Sequence, residues 1–121
     1  MMKTLYVFGN EYLKDDSFAA KIAKLLNKRM RIINCTSPEI LLDSEEKEIL
    51  ILDVVKKIKK PIIIKDISRI RTNKMISLHD FDLGFFLKLM EAMGINKKIK
   101  IIGIPTDGNA GVISKEVSKW M

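Results

Sequence analysis

Five short apolar runs, each closed by polar or turn-forming residues, alternate with stretches in which apolar positions recur every three or four residues. Leu5-Tyr6-Val7-Phe8 ends at Gly9-Asn10 and reads as a buried strand entering a turn. Asp15, Asp16 and Ser17 follow, and behind them Phe18, Ile22, Leu25 and Leu26 fall on one face of a helix. Carboxylates ahead of that pattern suit a helix N-terminus, as caps and as partners of the helix dipole. A second strand is expected over 30–34, and Ser37-Pro38 then opens a short helix or turn. Residues 48–53 form a third buried strand with Asp53 at its carboxyl end, and 61–65 a fourth with proline at its first position. The segment 67–75 fits an extended stretch or a hairpin. Residues 82–93 predict a helix with Leu83, Phe86, Leu87 and Met90 on its apolar face and Gly94 as its C-terminal cap. A fifth strand is expected over 100–104, then a loop over 107–111, then a last helix over 113–120 with Ile113, Val117 and Trp120 on one side.

Buried strands alternating with amphipathic helices predict a three-layer α/β/α fold around a mostly parallel sheet of about five strands. The core is expected to hold Leu5, Val7, Phe18, Ile22, Ile51, Phe86, Met90 and Ile102. In such sheets ligands bind beyond the carboxyl ends of the strands, where the strand order reverses.

Residues 1–121 suit a single domain. A chain of this size buries roughly two-thirds of its unfolded surface, enough for a core without cross-links. One cysteine, Cys35, excludes an internal disulfide and suits a reducing compartment. No apolar run reaches the roughly 18 residues of a membrane span, and the first nine residues lack the features of a secretory signal. A cytoplasmic monomer without membrane contact is expected. The net charge of +7 raises nucleic acid as a partner. Acidic residues are interspersed among the lysines, however, and no stripe of arginine and aromatics appears, which favours a solvated surface. The densest basic run is Lys56, Lys57, Lys59 and Lys60. It reads as a solvated loop, or else as the centre of a nucleic-acid-binding module with steep salt dependence.

Three polar residues follow strand ends: Asp16, Asp53 and His79, the only histidine. Two carboxylates and an imidazole make an O,O,N donor set for a divalent metal with open positions. Each also has a structural explanation: Asp16 as a helix cap, Asp53 as a turn residue, His79 as a surface side chain. No Ser-His-Asp set presents itself. A Cys35–His79 nucleophile pair and a phosphate-binding loop over 108–111 are weaker options, the latter lacking a full glycine motif.

Further residues resemble a known family. Gly9-Asn10, Leu13, Asp15 and Asp16 look like the opening motif of the nickel–iron hydrogenase maturation endopeptidases. Ile51-Leu52-Asp53 is similar to their second motif, an apolar strand ending in aspartate, and Ser77-Leu78-His79-Asp80-Phe81 to their third. Ile102-Gly103-Ile104-Pro105 and Ile113-Ser114-Lys115-Glu116-Val117 resemble the last strand and the opening of the last helix. The resemblance implies that Asp16, Asp53 and His79 contact nickel, and that the substrate is a hydrogenase large-subunit precursor whose C-terminal peptide is removed. It also implies that the nickel is borne by the substrate, a position another divalent metal could take. For the cleavage step two chemistries stay open: Asp16 or Asp53 as general base, an aspartyl-type chemistry, or a bound metal that polarises the scissile carbonyl or activates water. The sequence departs from the family at Ser17 and Ala19, where glycine is common. It departs again over 54–60, where Val-Val-Lys-Lys-Ile-Lys-Lys replaces a glycine-rich stretch, and in being shorter than is usual. Those departures keep open a non-catalytic relative that serves as nickel checkpoint or chaperone.

Overall fold

The computed structural model describes residues 3–8, 17–35, 40–41, 48–65 and 98–121. Within them the chain forms β1 (Lys3–Phe8), α1 (Ser17–Leu26), β2 (Met30–Cys35), β3 (Glu48–Val54), β4 (Ile62–Ile64), β5 (Lys98–Ile104) and α2 (Ala110–Ser118). The sheet has five strands in the order β2-β1-β3-β5-β4. Four strands run parallel, and β4 closes the far edge antiparallel to β5. The expected segments 67–75 and 82–93, and with them Phe86 and Met90, lie outside the described residues.

The period of two along each strand divides the core in two. Leu5 and Val7 of β1, Leu50, Leu52 and Val54 of β3, and Ile102 and Ile104 of β5 turn to one face. There they meet Phe18, Ala19, Ile22, Ala23 and Leu26 of α1 and Ile113 and Val117 of α2. Tyr6, Phe8, Ile49, Ile51, Ile99 and Ile101 turn to the other face, with Cys35, Leu41 and Val55. Strands apolar on both faces are those of a sheet covered on both sides, the middle layer of a three-layer α/β/α fold.

Several boundaries differ from expectation. Leu25 is 54% exposed, not part of the buried face of α1. The helix is rolled so that the small side chains of Ala19 and Ala23 turn inward, which lets it approach closely and moves Leu25, about a quarter-turn away, to the rim. α2 begins at Ala110, so Ala110 and Gly111 belong to the helix and not to a loop. The cause is Asn109, whose Oδ1 accepts the Val112 N–H at 3.0 Å and caps the helix. The helix ends at Ser118, and Trp120 packs half-buried against the core just beyond it. Gly108, at φ 137°, makes the turn before the cap, a conformation closed to most side chains.

Candidate functional site

The strand order reverses between β1 and β3. From β1 the chain goes outward to β2, then crosses back to β3 on the opposite side. The carboxyl ends of β1 and β3 therefore flank the switch point, where open α/β sheets bind ligands. Asp53 stands there. It is the penultimate residue of β3, because Val54 continues the strand one position past the expected end. Its register partner on β5 is Gly103. Alternation puts its side chain on the face of Ile49 and Ile51, opposite α1 and α2.

The Asp53 side chain has no solvent exposure, and its Oδ1 accepts the Val54 N–H at 2.9 Å. A wholly buried aspartate is uncommon, because removing a carboxylate from water is costly unless other groups compensate it. An exposed turn residue needs no such placement, so burial sets Asp53 apart from that reading. Asp16 and His79 lie outside the described residues. Among the described residues no group of three His, Cys, Asp or Glu side chains could hold a metal ion.

From the end of β3 runs the lysine-rich segment 54–60. Past Val54 the backbone stays bound to β5, with the Val55 N–H donating to the Ile104 carbonyl at 2.8 Å. The chain then crosses the carboxyl end of β5 to reach β4 on its far side. Gly103 makes the crossing possible. A Cβ at that position would stand 2.6 Å from Val55 Cγ2 and 3.0 Å from Ile62 Cγ1, so only glycine leaves room for both side chains. Ile58 packs against the second core cluster and Pro61 is buried, while Lys56, Lys57, Lys59 and Lys60 are exposed.

Cys35 ends β2 on the same edge of the sheet, in register with Phe8. It is buried, and burial pushes its thiol up to about 11. At neutral pH it is a protonated thiol, which is a poor nucleophile. This argues against the Cys35–His79 pair. In the 108–111 segment the Asn109 side chain caps the last helix by accepting the Val112 N–H.

No family model matches the sequence, and no curated protein matches it. The fold does have a counterpart among solved structures. The chain is similar to one described as the hydrogenase 3 maturation protease, with a TM-score of 0.59 and 18% sequence identity, over 98% of this chain and 88% of that one. Identity that low with coverage that wide shows a shared fold. The chain thus has the fold of a hydrogenase maturation protease, with a buried aspartate at the switch point of its sheet. Among the described residues no helix is long and apolar enough to cross a membrane.

Proposed function

We propose that this chain is an endopeptidase that removes the C-terminal peptide from a nickel-loaded nickel–iron hydrogenase large-subunit precursor. The observation that carries the reading is the burial of Asp53 at the switch point of a fold shared with a hydrogenase maturation protease. The motifs around Asp16, Asp53 and His79, in that order along the chain, support it. Nickel enters as part of the substrate, and the O,O,N set would add donors to a coordination sphere that substrate side chains begin. Hydrolysis adds a water oxygen to the scissile carbonyl carbon, and the C–N bond breaks as the leaving nitrogen takes a proton. A carboxylate of Asp16 or Asp53 takes the proton from that water.

The test is to incubate the protein with nickel-loaded precursor and weigh the products. A C-terminal fragment from the wild type and none from Asp53→Asn is expected. Stable binding of loaded precursor with no fragment at all would instead favour the checkpoint role, for which the lysine-rich 54–60 segment is the specific motive.

A further inference from the structure

We infer that the lysine turn over 56–60 is a docking surface for an acidic stretch of polypeptide, beside the cleavage site; the inference rests on the reading of the chain as an endopeptidase. Four lysines stand within five positions, all exposed, on the segment that bridges the carboxyl end of β5. The bridge is anchored, not slack. Val55 is hydrogen-bonded to Ile104, Ile58 packs against the core and Pro61 is buried. The ammonium groups are therefore carried on a fixed support three to seven residues from Asp53.

Lys57 adds a second observation. Its φ is 71°, the left-handed region, where glycine is relaxed and a lysine is strained. It is the only residue other than glycine with positive φ among those described. A charged side chain is thus kept where the backbone favours having none, and strained residues of this kind cluster at functional sites.

The chemistry of the patch selects its partner. It contains no arginine, whose planar fork suits phosphate, and no aromatic ring on which a base could stack. It spans one turn, whereas single-stranded nucleic acid is followed along a groove. Carboxylates of a peptide, met one at a time by separate ammonium groups, fit the patch better. Such a contact steers and orients the substrate and takes no part in bond cleavage.

The experiment measures fluorescence anisotropy of a labelled peptide of repeated Glu-Gly, with its Gln-Gly counterpart and a single-stranded oligonucleotide of equal charge as comparators. Wild-type protein should bind the Glu-Gly peptide at low salt, more tightly than either comparator. The variant Lys56→Gln/Lys57→Gln/Lys59→Gln/Lys60→Gln should lose about tenfold or more of that affinity. The variant Lys3→Gln/Lys24→Gln/Lys28→Gln/Lys98→Gln removes the same charge from exposed positions toward the other end of the sheet and should lose far less. Equal losses in the two variants, or oligonucleotide bound more tightly than peptide, would overturn the proposal. Should the quadruple variant fold poorly, Lys59→Gln/Lys60→Gln leaves the strained Lys57 in place and must show the same direction of effect. On the precursor, the turn variant should raise KM and leave kcat unchanged, and an unchanged KM would also overturn the docking role. Because peptide binding needs no hydrolysis, absence of any cleavage would count against the endopeptidase reading alone.

Discussion

At the scale of single residues, Asp53, Gly103 and Cys35 make separable predictions. Asp53→Asn keeps the size of the side chain and an oxygen able to accept the Val54 N–H, but removes the carboxyl group that could take a proton. Asparagine retains the volume and the acceptor oxygen, so the packing and the Val54 contact are kept. Processing should therefore fall by about a hundredfold or more while the melting temperature holds or rises. A variant that unfolds would mean instead that Asp53 serves the fold. Gly103→Ala should destabilise by about 1–3 kcal/mol, because the new methyl meets Val55 at the start of the bridge and Ile62 of β4; urea titration gives the value. Cys35 links stability to pH. Its pKa is 9.0 when unperturbed and about 11 when folded. Below 9 both states hold the proton and the linkage contributes nothing against folding. As pH rises from 9 towards 11 the unfolded thiol ionises while the buried one does not, so stability drains to the unfolded state, on the order of 2 kcal/mol over that window. Denaturation curves at pH 8 and pH 10.5 should show a larger loss for wild type than for Cys35→Ala. Identical slopes would show that Cys35 is not the source.

At the scale of elements, the inner strands β1, β3 and β5 were legible because burial on both faces writes them as nearly unbroken apolar runs. All five expected strands are present, and Leu5, Val7, Phe18, Ile22, Ile51 and Ile102 are buried as expected. Their ends were less legible, because strand ends depend on partners distant in sequence. Val54 and Lys98 extend β3 and β5 through pairing with Ile104 and Glu48, and neither has a local signal. The helices show the opposite weakness. Periodicity found the apolar face of α1, but its roll was set by Ala19 and Ala23, which a pattern of large apolar residues overlooks. The start of α2 had a readable signal in Asn109, a preferred cap, which the glycines on either side concealed. Asn109→Ala should accordingly cost about 1 kcal/mol and fray the first turn of α2. Amide exchange at Val112 reports it, and an unchanged exchange rate there would show that the cap contributes nothing.

At the scale of the whole molecule, the sequence offers the candidate site as chemistry, and of its three residues the described structure includes Asp53 alone. Asp16, Asp53 and His79 were picked out by residue type and by their motifs. Only the strand order shows that Asp53 flanks the switch point, since a crossover from β2 past β1 to β3 leaves no mark on local sequence. The same topology exposes what the motifs hid, a basic bridge over the edge on which substrate would lie. Together they predict how cleavage responds to metal. If nickel is carried by the substrate, the three proposed donors alone should bind the ion weakly, and the loaded precursor would supply the rest of its coordination. Precursor stripped of nickel with a chelator should yield no C-terminal fragment in the presence of wild-type protein, and reloading it should restore the fragment. Calorimetric titration of nickel into the free protein should show far weaker binding than the precursor does. Cleavage of stripped precursor at the rate of loaded precursor would show that the ion is not what the protein reads, and the three polar residues would then need another role.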